Sequence, residues 1–210
     1  MKNHTLEILF EINGIGSASG IIYTNEELYI ISDNSTFLYQ YHLEKEKLIT
    51  INLNENSQEN IPKAIKLDFE SIALKGNKLY LFGSGSTINR EKCISYHLKT
   101  QKIKEKNLNK LYEKLRLKIG ISANDLNIEG AFYYSKKWYF FQRGNGASSN
   151  NGIFIYNKQE LSFTAIKLPK IENVEATFTD AILVDNLIYF LAAVEDTTST
   201  YDDGEILGCY

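Results

Sequence analysis

Apolar and polar residues alternate along most of the chain in short runs, a pattern typical of β-strands. Four stretches repeat one arrangement, in which two apolar strands flank turn-forming residues and a tyrosine lies ten positions after the first residue. The copies are "SGIIYTNEELYIISD" from Ser19, "ESIALKGNKLYLFGS" from Glu70, "EGAFYYSKKWYFFQR" from Glu129 and "TDAILVDNLIYFLAA" from Thr179. This fixed spacing predicts a repeated β-hairpin, with tight turns at Thr24-Asn25, Gly76-Asn77, Ser135-Lys136 and Asp185-Asn186.

The copies begin 51, 59 and 50 residues apart, close to the length of one four-stranded propeller blade, roughly 40 to 50 residues. Two further strand patterns follow each hairpin, except the last, where only "GEILGCY" remains. We therefore predict an all-β fold: one β-propeller domain over residues 1–210, built of four-stranded antiparallel blades near 19–53, 70–108, 129–168 and 179–210. An open array of β-meanders or a two-sheet sandwich is the alternative, since both share this even strand spacing.

The fourth blade lacks a pattern for its fourth strand, so the four blades by themselves do not close the propeller ring. The alternating segment "TLEILFEI", residues 5–12, is expected to supply the outer strand of a closing blade. A ring with few blades, a second copy of the chain and a longer propeller are the three ways to close it. We expect further blades beyond Tyr210, because an open side would expose sheet faces and edges that favour aggregation.

One segment departs from the strand pattern. In "NLNKLYEKLRLKIG" the apolar residues recur at helical spacing, which predicts a helical insert near residues 107–119, between the second and third blades. Gly120 follows as a C-cap, and "SAND" then offers a short helical turn.

Charge and composition exclude several classes of protein. A net charge of -3 and a pI near 5.7 argue against nucleic-acid binding, and the apolar runs are far shorter than the roughly 20 residues of a membrane helix. No apolar signal-peptide core follows Met1, so we expect a cytoplasmic protein, with secretion after processing as the alternative. Cys93 and Cys209 are too few for a disulfide framework or a zinc site and are expected to be ordinary thiols.

Strand order determines which polar residues share a face of the propeller. In antiparallel blades, the start of the first strand, the end of the second and the long loops all lie on one face. Glu70, Glu129 and Asp180 begin first strands, Glu175 lies close to Asp180 in sequence, and Arg143 ends a second strand. We expect these four carboxylates to form an acidic cluster there. His42 and His97 fall on the opposite face, which disfavours a Ser-His-Asp triad or a histidine zinc site.

Three roles are open for this acidic cluster. The first is to bind a hard cation, of which calcium is the natural choice, with Glu70, Glu129, Asp180 and Glu175 as the ligand set. The second is to act as a general acid and base, and the third is to accept backbone hydrogen bonds that hold neighbouring blades together. Arg143 either pairs with Glu129 or holds an anionic ligand. The acidic loop "EDTTSTYDDGE" is expected to be solvated, with a second cation site as the alternative.

Several motifs carry a resemblance to a known family. "DFESIAL", "NIEGAFY", "YFFQRGNG", "VEATFTDAILVD" and "AAVEDTTSTYDDGEILG" resemble an uncharacterised family of bacterial β-propeller proteins, from about Ser19 onward. That family is itself similar to propellers described as having the esterase-like activity of phytase, mainly in the acidic-Gly-apolar start of each blade. Glu129-Gly130 fits this start, whereas Glu70-Ser71 and Ser19-Gly20 depart from it.

Two functions follow from these observations. The first is hydrolysis of phosphate or carboxylic esters at a calcium site, which the resemblance implies. From their place in the acidic cluster we expect Glu129 and Arg143 to be the catalytic residues, with Arg143 holding the substrate anion. The alternative is a non-enzymatic module that presents its loops to a small ligand, a glycan or a protein partner of unknown identity. A small-molecule partner is expected in the first case, and neither nucleic acid nor membrane is expected in either.

Overall fold

The computed structural model describes residues 7–210, which form four antiparallel sheets, one helix and a short hairpin. Within each sheet the strands pair in chain order. The strands are β1 Ala18–Thr24, β2 Glu27–Ser32, β3 Phe37–His42 and β4 Lys47–Asn52 in blade 1; β5 Phe69–Lys75, β6 Lys78–Gly83, β7 Lys92–His97 and β8 Ile103–Asn107 in blade 2; β9 Ile128–Tyr134, β10 Lys137–Gln142, β11 Gly152–Tyr156 and β12 Leu161–Ala165 in blade 3; the hairpin β13 Lys170–Ile171 and β14 Val174–Glu175; and β15 Thr177–Val184, β16 Leu187–Asp196 and β17 Glu205–Cys209 in blade 4.

The first strands of successive blades contact one another, β1 with β5, β5 with β9 and β9 with β15, so the sheets are arranged radially. This arrangement is a β-propeller, as the hairpin repeat predicts, and not a sandwich. The predicted third strand of blade 4 is β17. Blades 1 to 3 have four strands each and blade 4 has three within the described residues.

The hairpin turns use residues at positive φ. Asp185 and Asn186 of blade 4 both adopt it, at 49° and 62°, as a type I′ turn requires. In blade 2 only Gly76 does, which is the φ pattern of a type II′ turn. In blade 1 the turn lies at residues 25–26, one residue later than predicted, because Thr24 still belongs to the strand pairing. Primed turns match the right-handed twist of the strands, so each hairpin pairs its strands through a two-residue connection.

A β-bulge interrupts the first strand of every blade at the same position. The register with the second strand shifts at Ser19, Glu70, Glu129 and Thr179, which are the first residues of the four sequence copies. A bulge leaves one residue unpaired and redirects its side chain. The repeat therefore directs one polar side chain per blade towards the centre of the propeller.

Apolar faces of neighbouring blades form the core. We call the face that packs against the next blade in chain order the forward face, and the opposite one the backward face. The forward residue Phe82 of blade 2 contacts Trp138 and Phe140 on the backward face of blade 3, with ring centroids 5.2 Å apart in both pairs. Phe141, on the forward face of blade 3, contacts Phe178 of blade 4 at 5.0 Å. Edge-to-face pairs of this kind add to the free energy of apolar burial between blades.

The helix α1, Asn109–Ile119, confirms the predicted insert. It ends at Gly120, whose φ of 68° allows its N–H to bond to the Arg116 carbonyl. Tyr112 is buried against blades 2 and 3 and donates its hydroxyl to the Gly83 carbonyl at 2.5 Å. A 3₁₀ turn over Ala123–Asp125 corresponds to "SAND". Within residues 7–210, no helix has the length and apolar character needed to cross a membrane.

The segment predicted to close the ring does not pair as a strand where it is described. The structure has no strand over residues 7–12, and residues 5 and 6 lie outside the described residues. Instead, the ring of Phe10 stacks on Tyr41 with centroids 5.9 Å apart, and Ile12 and Ile15 pack on blade 1. Phe10 and Ile12 thus contact a sheet face rather than pair with a sheet edge, whereas Ile8 and Leu9 are 83% and 88% exposed.

Candidate functional site

The strand bulges direct polar side chains into one central cavity of about 610 Å³. We call this cavity the lumen. Its polar lining comprises Ser17, Ser19, Asp33, Glu70, Glu129, Thr179 and Asp180, and its apolar lining includes Ile21, Ile30 and Leu191. Three of the four predicted metal ligands, Glu70, Glu129 and Asp180, therefore lie on the wall of a single cavity.

Glu175, the fourth predicted ligand, is not brought to the lumen. It lies in the β13–β14 hairpin, where its carboxylate accepts hydrogen bonds from the Leu168 N–H at 3.2 Å and Lys167 Nζ at 3.4 Å. Its closeness to Asp180 in sequence is misleading, because five residues of extended chain span about 16 Å.

Arg143 joins two blades through ion pairs. Its Nη1 lies 3.4 Å from Glu129 Oε1 of blade 3, and its Nη2 pairs with Glu195 Oε2 on β16 of blade 4. Glu129 also accepts a hydrogen bond from Asn127 Nδ2 at 2.7 Å. Burial raises the pKa of Glu129 to about 6, although Arg143 opposes this shift. The two predicted catalytic residues therefore contact each other, and the guanidinium has carboxylate partners on both of its terminal nitrogens.

A further set of charged residues, Asp33, Lys66, Asp68 and Arg90, lies next to the lumen, and we call it the charged network. Lys66 Nζ pairs with Asp33 and lies 2.7 Å from Asp68 Oδ1. Arg90 Nη1 donates to Asp68 Oδ2 and to Ser86 Oγ, both at 2.8 Å. Lys66 lies in an irregular segment before β5, and Arg90 ends a 3₁₀ turn over Ile88–Arg90 before β7, so no strand periodicity marks them. An acid directly before an apolar strand, as in "DFESIAL", is the signal that could have indicated Asp68.

Glu70 and Asp180 differ from the other carboxylates of the lumen. Neither forms an ion pair with a lysine or arginine of the described residues. Asp180 Oδ1 accepts one hydrogen bond, from the Ala181 N–H at 2.7 Å. Burial raises the pKa of Asp180 to about 6. Burial, followed by the charges of Glu129, Asp68 and Asp33, raises the pKa of Glu70 well above its ordinary value.

Part of this site has the donor chemistry of a hard-cation site. Asp33, Asp68 and Glu70 each offer a carboxylate oxygen, and these oxygens lie within 4.8 Å of one another. Asp33 Oδ1 is buried and has no hydrogen-bond partner among the described residues. Calcium prefers such oxygen ligands, so the donor set fits this ion. The ammonium of Lys66 already bonds two of the three carboxylates, however, and a cation would compete with it.

The acidic loop of blade 4 crosses over the charged network. Thr200 Oγ1 donates to the Asn124 carbonyl, and Asp203 pairs with Lys63 at 3.4 Å. The Tyr201 ring lies 4.9 Å from Lys63 Nζ and 5.3 Å from the Arg90 guanidinium carbon. The loop thus makes specific contacts with neighbouring parts of the chain, although the Asp203 side chain is 92% exposed, as expected for a solvated loop.

Comparisons with known proteins give one family and a set of similar solved structures. The family model described as "Family of unknown function (DUF6929)" matches residues 14–210. No curated protein matches the chain. Similar solved structures include an auxiliary nutrient binding protein from Bacteroides thetaiotaomicron, with 15% identity over 94% of this chain and 42% of that one and a TM-score of 0.48.

Two further solved structures are similar at comparable levels. Hydrazine synthase from Kuenenia stuttgartiensis has 10% identity over 98% of this chain and 52% of that one, with a TM-score of 0.47. The WD40 repeats of RRP9 have 9% identity over 88% of this chain and 47% of that one, with a TM-score of 0.44. The chain thus spans about half the length of the solved structures it matches, and their functions are not carried over to it.

Proposed function

Since the chain belongs to the family of unknown function DUF6929, we propose a function from its own geometry: a non-enzymatic propeller whose lumen binds the cationic group of a small molecule. One observation carries this proposal. Glu70 and Asp180 line a cavity of about 610 Å³, and neither forms an ion pair with a lysine or arginine within residues 7–210. A cavity of this size lies within the range of about 300–1,000 Å³ typical of small-ligand sites.

The electrostatics of the lumen support a cationic ligand. The raised pKa values of Glu70 and Asp180 mean that the folded protein disfavours their charged forms. A bound ammonium or guanidinium group would favour those charged forms and supply an ion-pair partner for each carboxylate. Arg143 is not available as the ion-pair partner of Glu70 or Asp180, because it already pairs with Glu129 and Glu195.

The test is calorimetric binding of primary amines, quaternary ammonium compounds and guanidines, each compared with a neutral alcohol of matched size. We expect Glu70→Gln and Asp180→Asn to weaken binding of the cationic compounds about tenfold or more, in line with loss of a charged hydrogen bond. Glu160→Gln, in the exposed turn between β11 and β12, is the matched control and leaves binding unchanged. Equal binding of cations and neutral analogues, or unchanged affinity in both lumen variants, would refute the proposal.

A second candidate function is calcium-assisted ester hydrolysis, which the resemblance implies and the three close carboxylates Asp33, Asp68 and Glu70 favour. These three would hold the ion, and the ion would polarise a phosphate or ester oxygen. Glu129 and Arg143 would then be the catalytic residues, with Arg143 holding the substrate anion, as predicted from the sequence. This candidate ranks second, because Glu129 and Arg143 contact each other and the charged network already holds the ammonium of a lysine between two of the calcium ligands.

Calcium separates the two candidates. The hydrolase predicts a rise in Tm with calcium that EDTA reverses and Glu70→Gln abolishes, together with turnover of phosphomonoesters or aryl esters that Glu129→Gln abolishes. The binding protein predicts stabilisation by amines and no turnover. Failure of calcium to raise Tm, with no turnover of either ester class, would refute the hydrolase and leave the amine test unaffected.

A further inference from the structure

The forward face of blade 4 is apolar and exposed, unlike the same face of the other blades. Tyr189 and Leu191 occupy the positions of Tyr80 and Phe82 in the repeat. Phe82 is 3% exposed against blade 3, whereas Tyr189 is 54% and Leu191 62% exposed. The strand register places three more exposed apolar residues on the same face, namely Ile182, Val184 and Leu187. The patch therefore has the composition of a blade-to-blade interface without a blade packed against it in the described part of the chain.

The backward face of blade 1 is partly uncovered in the same way. Residues 12 and 15 of the N-terminal segment pack on the outer part of this blade. On the first strand, however, Ile21 is 44% and Tyr23 61% exposed. Ile21 pairs with Ile30 and Tyr23 with Leu28, which places them on the backward face.

These two faces flank the open side of the propeller. Residues of both line one cleft of about 630 Å³, between β1 and β2 on one side and β15 and β16 on the other. The cleft and the lumen share Ile21, Asp180 and Leu191 in their linings, so the cleft is also the open wall of the lumen.

We infer that a second copy of this chain docks at this open side, with the forward face of blade 4 packed against the backward face of blade 1 of the partner. Each interface between blades within the chain already joins a forward face to a backward face, as with Phe82 against Trp138 and Phe140. A second copy supplies a backward face of the same repeat, so the contact continues an interface that the fold uses three times. A two-fold axis between the copies makes the contact twice and covers both exposed faces of both copies.

This docking completes the candidate site. The lumen of one chain is open on the side of Asp180 and Leu191, and the partner's blade 1 closes that side. Asp180 would then face a lumen enclosed by protein, where its carboxylate interacts more strongly with a bound cation than it does next to water. The contact itself does not depend on what the lumen binds, so its test is separate from the ligand test.

The test is the mass of the purified chain in solution, measured by light scattering after gel filtration and by sedimentation velocity, from about 1 to 100 µM. We expect twice the 24.0 kDa mass of one chain at the upper end of this range. Leu191→Arg and Tyr23→Glu, one on each face, should each give a monomer. Leu117→Arg is the control, since Leu117 is 75% exposed on α1, away from the cleft, and it should leave the dimer intact.

Mixing the two monomeric variants sharpens the test. In the mixed pair one contact joins two wild-type faces, and the other joins the basic face of the Leu191→Arg chain to the acidic face of the Tyr23→Glu chain. We therefore expect the two variants to form a heterodimer together. A wild-type chain that is monomeric throughout the concentration range would overturn the inference. Retention of the dimer by both single variants would overturn it as well, because the dimer would then use another surface.

Discussion

Asp180 provides a direct measure of how unfavourable a charge is in the lumen. Its carboxylate accepts one backbone hydrogen bond and has no ion pair among the described residues. Burial raises its pKa from 3.8 to about 6 in the folded protein. Asn at this position keeps an oxygen that can accept the Ala181 N–H but cannot ionise, so Asp180→Asn isolates the cost of the charge.

The sign and size of the effect follow from this pKa. Between about pH 4 and 6 the folded state holds a proton on Asp180 that the unfolded state has released, so this group makes the wild type less stable as pH rises. Two pKa units correspond to about 3 kcal/mol, and we expect about 1–2 kcal/mol because the side chain is only partly buried and borders a cavity open to water. Well below pH 3.8, Asp180 is neutral in both states and the difference disappears.

The assay is urea denaturation at intervals from about pH 4 to 7, followed by fluorescence of Trp138, the one tryptophan of the chain, which packs between blades 2 and 3. The free energy of unfolding of Asp180→Asn minus that of the wild type should rise by about 1–2 kcal/mol from pH 4 to 6 and then level off. Asp185→Asn, in the exposed turn after β15, is the matched control. A flat curve for Asp180→Asn, or one that falls with pH, would refute the assignment of an unpaired buried charge.

Two further predictions concern the frame of the site. Arg143→Met should lower the free energy of unfolding by about 3–5 kcal/mol at neutral pH, because it leaves two buried carboxylates without their cation; a loss below about 1 kcal/mol in urea denaturation would contradict this role. Gly85→Ala should cost about 2–4 kcal/mol, because Gly85 has a φ of 82° and a Cβ there would overlap the Tyr112 ring. Gly76→Ala, also at positive φ but with no atom near its Cβ, should cost about 1 kcal/mol; equal losses in the two glycine variants would show that the contact with Tyr112 does not matter.

Local patterns along the chain were sufficient to predict the blades. Strand alternation, turn residues and a tyrosine at constant spacing are short-range features, and each blade is a meander whose strands pair with their neighbours in sequence. The helix insert and its cap at Gly120 were predictable for the same reason. The grouping of Glu70 and Glu129 also followed from the repeat, because they hold the same position in successive blades, and Asp180 directly follows Thr179, which holds that position in blade 4.

Long-range contacts were decided only by the tertiary structure. Among residues 7–210, Glu70 has no ion pair whereas Asp68 has two, because Lys66 and Arg90, which both lie outside the strands, direct their side chains to Asp68. The same holds for Glu175, whose hairpin folds away from the lumen although Asp180, close to it in sequence, lines the cavity. Periodicity determines which face of a strand is apolar, but not which loop crosses another blade. For this reason the sequence predicts the propeller and the carboxylates on its inner wall, whereas their ion-pair partners are a property of the folded chain.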